Sequence, residues 1–191
     1  MKMRLLSKIL LFTVFVAVFT SCDKEPDRPD YYYRFKVNGV QKEFKANTDS
    51  GILFLEDPNA ANRYMLFNMT TGRDNEKNAL FISLRTLESI TIGTRYEMQL
   101  GITVNNTVVP RITVLYFDEN GDRFIADLLQ TDNPGARDDA WVIFDELIQE
   151  GSYGRFEATI YSVDDDGELS ERQDMFITDG EFFIPNFISL R

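Results

Sequence analysis

The chain of 191 residues is acidic, with 20 Lys and Arg against 31 Asp and Glu and a formal net charge of −11 at pH 7. Such a surface repels the phosphates of nucleic acids, so we expect no nucleic-acid partner. The sequence contains no His and a single Cys, which removes His-based triads, Cys–His pairs and His-ligated zinc or haem. No phosphate-binding glycine loop occurs either, and we therefore expect a protein that is not an enzyme.

Residues 1–21 have the organisation of a secretory signal peptide. Three basic residues give a positive start, positions 9–19 form an 11-residue run that is apolar apart from one Thr, and two small residues precede Cys22. These features are typical of a cleaved leader. Because a helix needs roughly 20 apolar residues to span a bilayer, the run is too short for a membrane anchor. We therefore predict export and cleavage.

Cys22 stands where the apolar leader ends and a polar stretch begins. The arrangement resembles a bacterial lipobox, in which small residues precede a Cys that is acylated and becomes the first residue of the mature protein. Phe19 departs from the aliphatic residue that is usual three positions before that Cys. The resemblance implies several acyl chains, such as palmitate, on Cys22, and these hold a protein to a membrane more firmly than one chain does. It implies a lipoprotein of the outer membrane, attached either on the periplasmic face or at the cell surface.

The mature chain is predicted to consist of a short tether and one domain. Removing 21 of the 191 residues leaves 170, which suits a single domain, and the three basic residues lost with the leader bring the net charge to −14. Residues 22–30 carry the lipidated Cys and are otherwise charged or Pro, so they predict a solvated tether. Within it, Asp23-Lys24-Glu25 resembles the export address of surface lipoproteins of Bacteroidota. The domain is predicted to span residues 31–191.

The first two strands are the clearest local prediction. From Tyr31 to Val37 apolar and polar residues alternate, which is the period of a half-buried strand, and residues 40–46 form the next strand. Asn38-Gly39 lies between them, and both residues tolerate a positive φ. The pair therefore predicts a β-hairpin with a type I′ turn.

Further short strands follow, separated by turn signals. Residues 118–122 and 164–167 are typical turns, and Asp179-Gly180 predicts a second two-residue hairpin. Many short strands at near-regular spacing predict an all-β domain, an antiparallel β-sandwich, with a partly closed β-barrel as the alternative. The predicted strands are 52–55, 63–70, 79–87, 95–100, 110–117, 123–128, 153–162, 175–178 and 181–184.

The segment 139–150 fits either a strand or one short helix. Four apolar residues between Trp141 and Ile148 would share a helical face, and Gly151 would end the helix. The run 141–144 is equally typical of a buried strand. Because its neighbours are predicted strands, we favour the strand.

Two parts of the domain carry a family resemblance. Residues 35–44, with the sequence Phe-Lys-Val-Asn-Gly-Val-Gln-Lys-Glu-Phe, and the stretches 154–160 and 177–183 resemble small β-rich lipoproteins of Bacteroidota whose function is uncharacterised. The resemblance implies a β-rich lipoprotein domain, and it carries over no functional residue.

Acidic turns are the candidate metal sites. Asp164 and Asp166 are candidate calcium ligands, because clustered oxygen ligands on a tight turn suit this hard cation. Asp118, Asn120 and Asp122 form a similar, weaker set. Turns favour the same residue types without any metal, and we expect no other cofactor.

Two aromatic residues are candidate platforms for a glycan. Tyr32 would point to the opposite face from its neighbours in the first strand, and Trp141 is the only Trp in the chain. Exposed rings of this kind can stack on the apolar faces of sugars, although rings in alternating strands more often belong to the core.

The expected function is that of a non-catalytic, lipid-anchored protein of the cell envelope that binds a glycan, an envelope protein or a metal ion. One alternative is a glycoside hydrolase that works through two carboxylates. Its candidate acids would be Asp138, Asp139, Asp145, Glu146 and those at 164–166. The other alternative is a structural subunit of a surface assembly.

Overall fold

The computed structural model describes residues 30–46, 49–57, 62–71, 76–104, 106–127, 139–163 and 169–187. The domain is all-β, as predicted, and these ranges contain no helix long and apolar enough to cross a membrane. The strands are β1 (Tyr32–Val37), β2 (Val40–Lys45), β3 (Gly51–Asp57), β4 (Asn62–Met69), β5 (Ala79–Thr86), β6 (Arg95–Glu97), β7 (Ile102–Val104), β8 (Thr107–Val109), β9 (Ile112–Phe117), β10 (Arg123–Ala126), β11 (Ala140–Leu147), β12 (Ser152–Val163), β13 (Leu169–Ile184) and β14 (Asn186–Phe187).

Within the described ranges, twelve strands form one strongly curled sheet, and β7 and β8 form a separate two-stranded sheet. The main order is β14-β3-β4-β5-β9-β10-β12-β13-β1-β2, and β11 and β6 branch from β12. The pairs are antiparallel except for β14 with β3, which is parallel. The result is a half-barrel, consistent with the predicted sandwich or partly closed barrel.

The branch at β12 brings two halves of the sheet around one core. β12 pairs with β11 from Ser152 to Ala158 and with β10 at Tyr161 and Ser162. One half continues through β11 to β6, and the other through β10 to β9, β5, β4 and β3. A strand that serves two partners in this way has to bend, and the inner faces of both halves then bury their apolar side chains together.

Aromatic rings join the two halves across the core. The ring centroid of Phe67 in β4 lies 5.5 Å from that of Phe144 in β11 and 5.4 Å from that of Phe182 in β13. Phe35 in β1 meets Tyr116 in β9 edge-on at 5.7 Å. All five rings are at most 1% exposed, and such pairs each contribute roughly 0.5–1.5 kcal/mol beyond the burial of their area.

The hairpin at Asn38-Gly39 is confirmed. Both residues have a positive φ, 48° and 82°, and Val37 faces Val40 across the turn. The other predicted strands before residue 163 coincide with observed strands to within three residues at either end.

The predicted hairpin at Asp179-Gly180 is wrong, because β13 runs through these residues without reversing. The pairs Phe156–Gly180 and Ala158–Ile177 leave one extra residue on β13, which is a β-bulge, and Asp179 takes the positive φ of 51° there. A dipeptide that tolerates a positive φ suits a bulge as well as a two-residue turn.

The helix alternative for residues 139–150 is also wrong, because this segment forms β11. Val142 and Phe144 are buried and alternate with partly exposed residues, and the strand pairs with β12 on one edge and β6 on the other. Both edges of the backbone therefore find hydrogen-bond partners, which outweighs the helical spacing of the apolar residues. The β7–β8 hairpin, with Asn106 at a φ of 64°, was not predicted.

Candidate functional site

A groove lies on the side of the sheet that points away from the core, across β3, β4, β5, β9 and β10. Side chains alternate between the two faces of each strand. In β4, Phe67 is buried in the core, whereas Leu66 is 40% exposed on the outer face. This outer-face groove has a volume of about 590 Å³, which lies within the range of roughly 300–1,000 Å³ found for small-molecule sites.

Two rows of cross-strand neighbours form the floor of the outer-face groove. The outer face of an antiparallel sheet is usually polar, yet most of these residues are apolar. One row consists of Leu53, Leu66, Ser83 and Thr113, and the other of Gly51, Asn68, Phe81, Leu115 and Ile125.

Phe187 forms one end of the outer-face groove. β14 pairs in parallel with β3, so that Phe187 lies beside Leu53. A Cβ on Gly51 would lie within 2.9 Å of three atoms of the Phe187 ring. Glycine at this position therefore leaves the space that the ring occupies, and 37% of Phe187 remains exposed.

Few polar groups line the groove. The hydroxyls of Ser83 and Thr113, at one end of the first row, are hydrogen-bonded at 3.0 Å. Asn68 donates from its amide nitrogen to a backbone carbonyl at 2.7 Å, while its buried Oδ1 accepts no hydrogen bond within the described chain. Arg123 and Asp127 lie along the side formed by β10. A largely apolar cavity with a few placed polar groups is typical of a small-molecule site.

The other half of the sheet presents a charged outer surface, which we call the ladder face. It consists of the outward side chains of β1, β13, β12, β11 and β6, and it is crossed by ion pairs between neighbouring strands. The pairs between strands are Arg34–Glu181, Lys36–Asp179 and Arg155–Asp145, and a further pair, Arg95–Glu97, lies within β6; the N···O distance is 2.7 Å in each. Because these side chains are partly exposed, each pair contributes at most about 1 kcal/mol to stability.

Tyr32 lies half-buried on the ladder face. Its hydroxyl donates a hydrogen bond to the carboxylate of Glu181, which also accepts from Arg34. The guanidinium carbon of Arg34 lies 5.5 Å from the centroid of the Tyr32 ring. Burial, followed by the hydrogen bond to Glu181, raises the pKa of Tyr32 to about 12.

Trp141 lies on the same face, separated from Tyr32 by β12 and β13. Its indole nitrogen donates to Glu157 at 3.1 Å, and the guanidinium carbon of Arg95 lies 4.3 Å from the ring centroid. The structure does not bring the two predicted glycan-stacking residues together, and each ring already has partners within the chain. Glycan binding by these two residues remains a prediction.

The candidate calcium residues Asp164 and Asp166 fall outside the described ranges. In the weaker set, Asp118 builds the turn between β9 and β10, because its Oδ1 accepts hydrogen bonds from the backbone N–H groups of residues 120–122 at 2.7–2.9 Å. The described part of the chain contains no group of three or more Asp, Glu or Cys side chains that could hold a metal ion.

The described candidate catalytic carboxylates, Asp139, Asp145 and Glu146, lie in or directly before β11. Asp145 accepts two hydrogen bonds from Arg155, at 2.7 and 2.8 Å, and these hold the pKa of Asp145 below its ordinary value. The general acid of a glycosidase needs a raised pKa. Glu146 is exposed, Asp139 lines a separate polar pocket of about 200 Å³, and Asp138 lies outside the described residues.

Comparison of the chain with known protein families, characterised proteins and solved structures finds no match. The leader and Cys22 lie outside the described ranges, so lipidation stays a prediction.

Sequence reasoning missed the outer-face groove, although a signal for it was present. Residues 79–82 and 112–117 are nearly continuous apolar runs, and such runs predict strands that are covered on both faces. The outward-facing members of these runs, Phe81 and Leu115, form the floor of the groove.

Proposed function

We propose that this chain is a lipid-anchored protein of the cell envelope that binds, without catalysis, a ligand with an extended apolar part. The outer-face groove is the proposed binding site. The observation that carries the proposal is its apolar floor, which lies on a sheet face that would otherwise be polar. Covering partly exposed side chains such as Leu66 and Phe187 would gain roughly 25 cal/mol for each Å² of apolar surface removed from water.

Anchoring is the part of the proposal that rests on the leader and on Cys22. The lipid would hold the domain at the outer membrane, on the periplasmic face or at the cell surface, with residues 22–30 as a solvated tether. A binding domain held in this way meets apolar compounds at the membrane surface.

An apolar ligand fits the groove better than a glycan does. Besides the amide of Asn68, the floor offers one pair of hydroxyls, which already bond to each other, among leucine, isoleucine and phenylalanine side chains. A sugar would need many polar partners, and leaving its hydroxyls unpaired would cost about 1–3 kcal/mol for each buried group.

The test is the binding of a neutral fluorescent probe, N-phenylnaphthylamine, to the full chain that carries Cys22→Ser and therefore no acyl groups. We expect saturable binding, and in Leu66→Arg we expect the affinity to fall by roughly tenfold or more, because the substitution places a charge on the apolar floor.

The matched control is Val40→Arg. Val40 is 61% exposed on β2, at the edge of the sheet remote from β4, so the same substitution there should leave probe binding unchanged. Both variants keep the apolar leader, so any probe that binds to the leader contributes equally to the two measurements. If Leu66→Arg binds the probe as tightly as the control does, the groove is not the site.

A further inference from the structure

The arginine side chains of the described sheet differ between its two outer faces. On the ladder face, Arg34, Arg95 and Arg155 each lie 2.7 Å from a carboxylate. On the groove face, Arg85 and Arg111 form no ion pair within the described part of the chain. The chain carries an excess of acidic residues, with a net charge of −11, so cations without acidic partners are a specific feature of this face.

Arg85 and Arg111 are neighbours beside the outer-face groove. The backbone N–H of Arg85 donates to the carbonyl of Arg111 at 2.8 Å, which places the two residues opposite each other on β5 and just before β9. Both arginines lie on the same face of the sheet as Ser83 and Thr113, about 7 Å further along the two strands. Two like charges directly opposite each other destabilise a sheet, and an anion between them would remove this cost.

Within the described chain, one hydrogen bond engages the two guanidinium groups of this arginine pair. The Nε of Arg111 is buried and donates to no acceptor within the described chain. Arg85 donates from one Nη to the carbonyl of Pro110 at 3.4 Å, and its guanidinium carbon lies 5.8 Å from the centroid of the Tyr64 ring. Each guanidinium has five N–H groups, so the pair can donate several charge-assisted bonds to a carboxylate or phosphate.

We propose that the outer-face groove binds a single-chain anionic amphiphile, with the apolar chain on the groove floor and the anionic head on Arg85 and Arg111. The described residues that line the groove include one carboxylate, Asp127, and one guanidinium group, that of Arg123. The arginine pair, which lies beside this lining, therefore adds an excess of positive charge. The head is a carboxylate or a phosphate, since both match the donors of an arginine pair. This inference rests on the proposed function and adds the ligand class to it.

The experiment compares three ligands of equal chain length as competitors of N-phenylnaphthylamine, using the full chain with Cys22→Ser. The ligands are palmitate, hexadecyl phosphate and the uncharged hexadecanol. We expect the anionic ligands to bind roughly tenfold or more tightly than hexadecanol, as charge-assisted hydrogen bonds would give. A preference between palmitate and hexadecyl phosphate distinguishes a fatty acid from a phospholipid-derived ligand.

Substitutions test whether the arginine pair causes the preference for anionic ligands. The double substitution Arg85→Gln with Arg111→Gln should abolish the preference for anions and leave the binding of hexadecanol and the probe unchanged. Arg34→Gln, on the ladder face, should change neither. A preference that survives the double substitution, or that is instead lost in Arg123→Gln at the opposite side of the groove, would overturn the assignment.

The two proposals fail in distinguishable ways. Equal affinity for palmitate, hexadecyl phosphate and hexadecanol in the unsubstituted groove overturns the anionic head alone and leaves an apolar site. Absence of binding by the probe and by all three ligands overturns the apolar site and the anionic head together.

Discussion

Phe156 and Gly180 are cross-strand partners in β12 and β13, and the phenyl ring lies over the glycine. A Cβ on Gly180 would lie 2.8 Å from two atoms of that ring and would also contact the carbonyl oxygen of Phe156. Phe182 covers Gly154 in the same way. Each glycine therefore gives a buried ring a place against the backbone of the next strand, a device that stabilises curved sheets.

Gly180→Ala should lower the free energy of unfolding by about 1–3 kcal/mol, because the added methyl group overpacks a buried contact that includes backbone. Urea denaturation of the full chain with Cys22→Ser measures the change. Gly101→Ala is the control: a Cβ there meets a side-chain methyl of Val108 at 3.0 Å and a backbone oxygen at 3.2 Å, so its effect should stay within about 1 kcal/mol. Equal losses in both variants would contradict this account of Gly180.

The segment around Gly180 also shows why the sequence predicted a hairpin that the structure does not contain. Asp179-Gly180 indicates a site that tolerates positive φ, and it predicts a hairpin because the short strands on either side also fit that geometry. The strands that pair with β13 are β1 and β12, which lie far away in the sequence. Because β13 continues between these two partners, the positive φ at Asp179 occurs in a bulge and not in a turn. The Asn38-Gly39 hairpin was predictable because its two strands pair with each other directly.

The outer-face groove could not be predicted from the sequence for a related reason. Leu66, Phe81 and Leu115 are apolar residues within strands, and the sequence does not say that their outward sides meet on one surface. By contrast, Trp141 was predicted from its residue type, and Tyr32 from its residue type and its outward position in an alternating strand. The structure places each against charged neighbours on a different strand. Residue type identifies chemistry, whereas strand order decides which residues share a site.

Two buried tyrosines should respond differently to removal of their hydroxyl groups. Tyr33 donates to the carbonyl of Asn78 at 3.1 Å, whereas the Tyr116 hydroxyl is buried and has no partner within the described chain. Burial raises the pKa of both hydroxyls, so both stay neutral. Tyr33→Phe should cost about 1 kcal/mol, and Tyr116→Phe should leave stability unchanged or raise it by about 1 kcal/mol. Thermal unfolding of the two variants side by side makes the comparison; a loss on Tyr116→Phe as large as that on Tyr33→Phe would show that Tyr116 has a partner.

Cys22→Ser should abolish lipidation, because a serine hydroxyl does not take the thioether-linked lipid that the lipobox resemblance implies. Radiolabelled palmitate fed to cells should label the natural chain and leave the variant unlabelled, and the variant should move from the membrane to the soluble fraction. Ser21→Ala keeps a small residue before the Cys and should remain labelled. Labelling that persists in Cys22→Ser would show that the lipid is attached elsewhere.

The Glu181 carboxylate should make part of the stability depend on pH. The hydrogen bond from Tyr32, followed by that from Arg34, holds the pKa of Glu181 below its ordinary value. A carboxyl whose pKa is lower in the folded than in the unfolded state stabilises the fold above its unfolded pKa, and the contribution is lost as the pH falls through the folded pKa. Glu181→Gln should therefore cost about 1 kcal/mol or less at pH 7, since the pair is partly exposed. The difference from the unsubstituted chain should begin to shrink below about pH 4, near the ordinary carboxyl pKa, and should vanish once the pH is below the lowered pKa of the folded state.

Glu146→Gln is the matched control for this pH dependence, because Glu146 is exposed and forms no ion pair within the described residues. Its urea midpoint should follow that of the unsubstituted chain at every pH. If Glu181→Gln lowers stability equally at pH 7 and pH 3, the loss comes from packing or from the neutral hydrogen bond to Tyr32. The charge of Glu181 would then contribute nothing, and the ion pairs of the ladder face would serve to keep its charged side chains ordered rather than to stabilise the fold.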